Sequence, residues 1–179
     1  HNLTRILDTN DFIIKQILDS LLLLKVCPEL ESLKIIDVGC GGGIPGVILA
    51  AYFPELAITE LDSIQKKVTC VQTFIDSLSL KNAQTVCGNM REIARQDGHK
   101  EQYDLVIARA VTRADKLIKE TRQFLNKAGR IILFKTPDQI DEEWELAERE
   151  AKKYKLSIQR SEIYDLPKNA GSRQFLIIS

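Results

Sequence analysis

The residues with the clearest chemical pattern are three glycines that follow an apolar stretch. Gly39, Gly41 and Gly43 lie in the segment IIDVGCGGGIPG, after a strand predicted at 34–38 and before a helix that begins near Pro45. Glycine has no Cβ atom, so Gly39 and Gly41 let the backbone turn tightly and approach a ligand, while Gly43 permits close packing at the helix start. The segment predicts a ligand-binding loop, with a plain strand-to-helix turn as the alternative.

Two aspartates near these glycines indicate what kind of ligand the loop binds. Asp37 precedes Gly39, and a carboxylate at this position suits a cationic ligand. It would gain nothing beside a negatively charged pyrophosphate. Asp62 ends the second predicted strand, where it can accept hydrogen bonds from both ribose hydroxyls; the alternative is a helix cap, a role for which Ser63 competes. A dinucleotide-binding GxGxxG loop needs glycine at position 44, where this chain has Ile44. The resulting D-x-G-x-G-x-G pattern is that of S-adenosylmethionine (AdoMet)-dependent methyltransferases, and it disfavours an NAD-dependent oxidoreductase.

The elements that must position these residues alternate between strands and helices. Alternation through five strands predicts a mostly parallel sheet covered on both faces, and two closing strands without a helix between them predict an antiparallel hairpin at one edge. The predicted fold class is therefore α/β, a Rossmann-like class I AdoMet-dependent methyltransferase fold with seven strands. The predicted strands are 34–38, 56–61, 84–87, 103–108, 130–134, 156–164 and 173–178.

Helical periodicity and capping residues predict the remaining elements. The first helix, capped by Asn10 or Asp11, extends to about Lys25. A later helix, capped by Ser63, buries five apolar residues: Val68, Val71, Phe74, Ile75 and Leu78. Another buries Leu117, Ile118, Thr121, Phe124 and Leu125 and ends at Gly129. A charged helix spans about 139–154.

Length and composition predict a single methyltransferase domain over residues 1–179, with an N-terminal helical segment at about 1–32 and the AdoMet-binding core at 33–179. The chain begins without Met, so we expect that helical segment to be truncated. The four cysteines form no CxxC pair and neither histidine lies at ligand spacing from them, which predicts no metal site and favours a reducing cytoplasm. No apolar run is long enough to cross a membrane. We expect a monomer.

Charge is balanced overall but uneven along the chain, with 25 basic and 25 acidic residues. The segment from Leu105 to Lys135 contains eight basic and two acidic residues, a net of +6, and 136–150 contains one basic and seven acidic residues, a net of −6. Arg109 and Arg113 begin the basic segment, which can contact phosphate even in a neutral protein. A pair of solvated helix faces is the alternative.

Several motifs together resemble the RsmG/GidB family. These are HNLT at the start, ILDSL at 17–21, DVGCGGGIPG at 37–46, LDS at 61–63 and ARA at 108–110, in the family's order and spacing. The resemblance implies an AdoMet-dependent methyltransferase that modifies N7 of a guanine in 16S ribosomal RNA, with the small ribosomal subunit as its partner. Guanine N7 has an in-plane lone pair and needs no deprotonation, which suits a chain with little acid–base machinery.

The resemblance also implies site residues. Gly39 and Ile44 of the loop, together with Met90 and Arg91 after the third strand, would contact the cofactor. Arg109, at the end of the fourth strand, would serve both cofactor and catalysis, and Asp19 of ILDSL is a candidate to face the positive charge on the methylated guanine. The full predicted set is Asp19 and Arg109 for catalysis and Asp37, Gly39, Gly41, Gly43, Ile44, Asp62, Met90, Arg91 and Arg109 for the cofactor.

Three positions depart from the family pattern and leave RNA positioning open: Gln16, Thr136 and Gln174. Two other functions also stay open. The first is an AdoMet-dependent methyltransferase of a small molecule or a protein, which the balanced charge favours. The second is a non-catalytic assembly factor that binds AdoMet or ribosomal RNA. The [DN]PP[YF] motif of amino-group methyltransferases and the Pro-Cys nucleophile of cytosine-C5 enzymes are absent from the sequence.

Overall fold

A computed structural model describes residues 8–179, so the HNLT motif lies outside the described residues. Seven strands form one sheet in the order β3-β2-β1-β4-β5-β7-β6. The first five strands are parallel, and β7 pairs antiparallel with both β5 and β6. This arrangement confirms the predicted sheet and its closing hairpin. The strands are β1 Lys34–Val38, β2 Ala57–Asp62, β3 Ala83–Cys87, β4 Tyr103–Arg109, β5 Leu125–Lys135, β6 Ile158–Asp165 and β7 Ser172–Ile178.

Helices cover both faces of the sheet. The first helical run comprises α1 Thr9–Phe12, a π-helical turn Ile13–Leu18, α2 Asp19–Leu21 and a 3₁₀ turn Leu22–Lys25. The other helices are α3 Gly46–Tyr52, α4 Gln65–Ser77, α5 Met90–Ile93, α6 Ala114–Thr121 and α7 Pro137–Lys153, with 3₁₀ turns at Leu30–Ser32, Arg122–Phe124 and Pro167–Asn169. No helix among residues 8–179 has the length and apolar character needed to cross a membrane.

Strand alternation divides the core between the two faces. On one face Val106 and Ile131 pack with residues of α6 and α7. On the other face, the neighbouring residues Leu105 and Ile132 pack with Leu23 of the first helical run. The helical segment before β1 is therefore an integral part of the hydrophobic core.

Two predicted helix caps are wrong. Asp8, rather than Asn10 or Asp11, caps α1, and its carboxylate accepts a hydrogen bond from the Asp11 N–H at 2.9 Å. Ser63 does not cap α4, because Ile64 occupies the cap position and its side chain cannot accept a hydrogen bond. The aspartate of LDS fixes that turn instead, as described below.

Two other expectations about packing are wrong. Phe74 and Leu78 are 40% and 57% exposed, because they lie at the rim of an open cavity beside α3 instead of under another element. Gly129 does not end a helix: β5 begins at Leu125, and Gly129 lies within that strand. A Cβ atom at Gly129 would lie 2.8 Å from the Tyr103 carbonyl oxygen, so the glycine permits close approach of β4 and β5.

Candidate cofactor cleft and adjoining arginine cluster

The strand order reverses between β1 and β4, and a cleft opens at the carboxyl ends of the strands there. In open α/β sheets this is the place where ligands bind. The cleft has a volume of about 240 Å³. Its walls come from the loops after β1, β2, β3 and β4, and the lining residues are Val38, Gly39, Leu61, Asp62, Ser63, Ile64, Lys67, Gly88, Asn89, Met90, Ala110 and Val111.

Of the predicted glycine loop, Gly39 lines this cleft, whereas Gly43 lines a second cavity beside α3. Gly39, Gly41 and Gly43 have φ angles of +71°, +58° and +80°, a region that side chains with a Cβ atom rarely adopt. A Cβ atom at Gly39 would lie 2.6 Å from Val111, and one at Gly43 would lie 2.7 Å from Val47 of α3. Close packing therefore requires glycine at both positions, whereas Gly41 has open space around its missing Cβ.

Asp62 connects the glycine loop to the turn before α4. Its Oδ2 accepts a hydrogen bond from the Gly41 N–H at 3.0 Å, and its Oδ1 accepts one from the Ile64 N–H at 2.9 Å. The Lys67 ammonium lies 3.5 Å from Oδ2. A carboxylate has about four lone-pair sites, so each oxygen retains capacity for a ligand hydroxyl. Asp62 is thus both the turn-forming residue and a cleft residue, two roles that the sequence presented as alternatives.

Asp37 lies beneath the loop and is absent from the residues that line the cleft. It is buried, and its Oδ2 accepts a hydrogen bond from the Gly46 N–H at 3.0 Å, which fixes the entry to α3. Burial raises the pKa of Asp37 from 3.8 to about 7, although the Gly46 N–H and the nearby Arg109 charge act in the opposite direction. The structure thus gives Asp37 a structural role at the base of the loop, and its contact with the cofactor stays a prediction.

The sequence analysis missed Glu60, the strand partner of Asp37. The two residues face each other in the β1–β2 register, and Glu60 is completely buried with no hydrogen-bond partner for either carboxylate oxygen among the described residues. Burial, and then the neighbouring Asp37, raises the pKa of Glu60 well above 4.5. A Cβ atom at Gly46 would lie 1.9 Å from Glu60 Oε1, so the carboxyl group fits against a residue without a side chain.

Arg109 and Asp19, predicted separately as catalytic residues, form an ion pair beside the cleft. Arg109 Nη1 donates to Asp19 Oδ2 at 2.9 Å, and its Nη2 donates to the Gln16 side-chain oxygen. Arg173 of β7 completes the cluster, donating from Nε to Asp19 Oδ1 at 2.6 Å and from Nη2 to Oδ2 at 2.9 Å. Two arginines against one buried aspartate leave a net charge of +1 at the sheet edge, next to the cleft residue Ala110.

This arginine cluster bears on the predicted roles of its members. Both oxygens of Asp19 accept hydrogen bonds from arginine, so the carboxylate charge is compensated by Arg109 and Arg173. A contact between Asp19 and the methylated guanine stays a prediction. The sequence analysis assigned no role to Arg173, because no local sequence pattern connects β7 to a helix more than 150 residues earlier. The three elements joined here are the first helical run, β4 and β7.

The remaining predicted cofactor residues are divided among three places. Met90 lines the cleft, as the resemblance implies. Ile44 lines a second, apolar cavity of about 640 Å³ between the first helical run, α3 and α4. Arg91 follows Met90 but lines a separate hollow, and its backbone N–H donates to the Asn89 side chain at 2.9 Å. Cofactor contact by Ile44 and Arg91 stays a prediction.

The three departures from the family pattern all form hydrogen bonds. Gln16 accepts from Arg109, Thr136 forms a capping box with Gln139 at the start of α7, and Gln174 donates to the Ser161 carbonyl at 2.8 Å. Each residue therefore has a structural role in this chain. Within residues 8–179, no group of three His, Cys, Asp or Glu side chains is placed to hold a metal ion.

Half of the basic segment is neutralised by neighbouring carboxylates. Four of its eight basic residues form ion pairs: Arg109 with Asp19, Arg113 with Asp115, Arg130 with Glu29 and Lys135 with Glu143. The acidic helix α7 also packs directly against α6, so the oppositely charged segments lie side by side. Any contact with an anion must therefore depend mainly on the basic residues that have no such partner.

Comparison with known proteins identifies the family. Residues 1–174 match the family GidB, described as rRNA small subunit methyltransferase G. The chain belongs to this family. Proteins named Ribosomal RNA small subunit methyltransferase G are 37% identical in Mesoplasma florum, over 88% of this chain and 65% of that protein, and 38% identical in Oenococcus oeni, over 75% and 56%. The chain thus spans less than two thirds of the length of these two relatives.

Solved structures confirm the fold. TYW2 of M. jannaschii, solved in complex with AdoMet, superposes with a TM-score of 0.69 over 97% of this chain and 77% of its own, at 18% sequence identity. A SAM-dependent methyltransferase from Aquifex aeolicus gives a TM-score of 0.66 over 96% and 93%, at 13% identity. The fold is therefore the Rossmann-like fold of class I methyltransferases, as predicted.

Proposed function

We propose that this protein is an AdoMet-dependent methyltransferase that modifies the RNA of the small ribosomal subunit. The observation that carries the proposal is the cleft at the strand reversal, where the glycine loop and Asp62 meet in a chain of the GidB family. The names of its relatives support ribosomal RNA as the substrate.

The residues of the cleft fit AdoMet. Asp62 retains lone pairs for the two ribose hydroxyls, and Gly39 lines the cleft with backbone atoms alone, packed closely against Val111. Met90 offers an apolar surface for the adenine ring from the loop after β3. AdoMet supplies an activated methyl group, while the chain binds and orients it and excludes water from the reacting atoms.

We further propose N7 of a guanine in 16S ribosomal RNA as the target, as the family resemblance implies. An N7 lone pair requires no general base, only alignment with the methyl group. The described residues beside the cleft supply a buried arginine–aspartate cluster at the end of β4. Such a cluster suits positioning of a phosphate or base more than proton transfer, because a guanidinium group offers several donors in a fixed plane and no acceptor.

Three further statements complete the proposal. The chain forms one domain, since Leu23 and Leu30 of the N-terminal helical segment are fully buried against the sheet. It acts as a monomer on a small ribosomal subunit or its 16S RNA. Its location is the cytoplasm, where that substrate is assembled.

The test is methyl transfer to a defined position. Small subunits and free 16S RNA that lack the modification are incubated with the protein and labelled AdoMet, and the label is mapped by nuclease digestion and mass spectrometry. We expect label at guanine N7 with wild-type protein and none with Asp62→Ala, while Lys168→Ala, an exposed lysine outside the cleft, serves as the matched control. AdoMet binding without transfer to RNA would instead indicate an assembly factor, and label on protein or a small molecule would indicate the other methyltransferase class.

A further inference from the structure

A small hollow on the α5–α6 side of the sheet collects arginines that lack carboxylate partners. Nine arginines lie within residues 8–179, and five of them form ion pairs. Of the other four, three line this one hollow: Arg91, Arg95 and Arg122. Arginine usually finds an anionic or aromatic partner, and among the described residues only Arg122 has one here, the aromatic ring of Tyr154, so three guanidinium groups without a carboxylate in one place point to a ligand outside the chain.

The charges around the hollow are strongly unequal. Lys119 joins the three arginines, and Glu120 is the single acidic residue among the lining residues, which gives a net charge of +3. An anion is therefore the ligand class that this surface attracts.

Arg122 is held in place as a preformed donor. Its guanidinium group lies 4.0 Å from the centre of the Tyr154 ring, an arrangement that fixes the plane of the group by cation–π attraction. Its Nε is buried and has no hydrogen-bond partner among the described residues. A fixed, planar and unsatisfied guanidinium group is suited to recognise phosphate oxygens.

The size and position of the hollow indicate what carries the anion. Its volume of about 170 Å³ is smaller than the 240 Å³ of the cofactor cleft, so it suits a small group such as one phosphate of a larger molecule. It also adjoins the cofactor cleft, since Met90 lines the cleft and the next residue, Arg91, lines the hollow. A phosphate held here would belong to a molecule that extends towards the cleft.

We propose that this hollow binds a backbone phosphate of the substrate RNA and thereby helps to orient the RNA on the enzyme. The inference rests on the proposed function, because it assumes an RNA substrate. Phosphate contacts of this kind fix the orientation of a nucleic acid without reading its sequence. Arg95 and Lys119 supply the exposed charges, and Arg122 supplies the fixed donor.

The experiment measures the salt dependence of RNA binding. Affinity for a fluorescently labelled fragment of unmodified 16S RNA is followed by anisotropy over a series of KCl concentrations. The double variant Arg95→Gln/Lys119→Gln is compared with Lys25→Gln/Lys168→Gln, which removes the same charge from exposed positions outside both the hollow and the basic segment. Each lost phosphate contact reduces the slope of log K against log salt by about 0.7–0.9. Because the hollow is proposed to hold one phosphate, we expect a reduction of about 0.7 to 0.9 for the hollow variant and an unchanged slope for the control.

The outcomes separate this inference from the proposed function. Wild-type protein that binds no RNA and transfers no methyl group would contradict the proposed function itself. Wild-type RNA binding with equal slopes in both variants would overturn only the role of the hollow. If calorimetry then shows wild-type binding of inorganic phosphate alone, the hollow serves a free anion, and the inference is equally overturned. AdoMet affinity, measured in parallel, is expected to be the same in all three proteins.

Discussion

Replacing Glu60 with glutamine tests the buried carboxyl pair beneath the glycine loop. Glu60 is completely buried beside Asp37, and neither of its oxygens has a partner among the described residues. The neutral glutamine has nearly the same shape, and its amide can donate a hydrogen bond towards Asp37. We therefore expect Glu60→Gln to fold, and to remove the dependence of stability on pH that Glu60 introduces.

The sign and the magnitude of the effect follow from the raised pKa of Glu60. The unfolded chain releases this proton as the pH rises through 4.5, whereas the folded protein retains it to a much higher pH. Each retained proton lowers the free energy of unfolding by about 1.4 kcal/mol per pH unit. The wild type should therefore lose up to about 1.4 kcal/mol per pH unit above pH 4.5 for as long as Glu60 keeps its proton, and the variant should not lose this.

Urea unfolding followed by circular dichroism at pH 5, 6 and 7 measures this difference. Glu145→Gln, which changes an exposed glutamate of α7, is the matched control and is expected to parallel the wild type. If the free energies of unfolding of wild type and Glu60→Gln change in parallel from pH 5 to 7, Glu60 is ionised in the folded protein. The proposal that Glu60 keeps its proton in the folded protein would then be wrong.

Two further variants test the loop and the arginine cluster. Gly41→Leu is expected to abolish AdoMet binding in calorimetry while the circular dichroism spectrum is retained. The Gly41 N–H is bonded to the cleft residue Asp62, and the nearest atom to an added Cβ, Gly39 O, lies 3.8 Å away, so we expect the new side chain to occupy ligand space rather than to clash with the protein. Wild-type affinity would place the cofactor elsewhere. Arg173→Ala is expected to lower the free energy of unfolding by about 3 kcal/mol, because it removes one partner of the buried Asp19 carboxylate. A change below about 1 kcal/mol would show that Arg109 alone compensates the negative charge of Asp19.

The sheet and the cofactor loop could be predicted because their signals are local. Alternation of strands and helices fixes a parallel sheet, and the absence of a helix between the last two strands fixes the hairpin. Phe74 and Leu78 show the limit of such reasoning. Helical periodicity identifies the apolar face of α4 correctly, but it cannot say whether another element covers the end of that face. Here the cavity beside α3 leaves both residues exposed.

The arginine cluster shows a second limit. Arg109 and Asp19 were each predicted from a separate motif, but their ion pair joins residues 90 positions apart, and Arg173 lies 154 positions from Asp19. Local sequence patterns contain no information on which distant charges meet. The basic segment shows the same limit. Its net charge of +6 overstates the positive charge available to a ligand, because four of its basic side chains pair with carboxylates.

Glu60 differs from these cases, because the sequence contained the signal that reveals it. The strand ITELD lies in a parallel sheet that was predicted to be covered on both faces, so every side chain within it must be buried. A glutamate inside such a strand has either a partner or a proton. Pairing of the first two strands then brings Glu60 opposite Asp37, and the single backbone donor there, the Gly46 N–H, is bonded to Asp37. One donor cannot stabilise two negative charges in an apolar core, so the fold itself requires that the pair hold a proton.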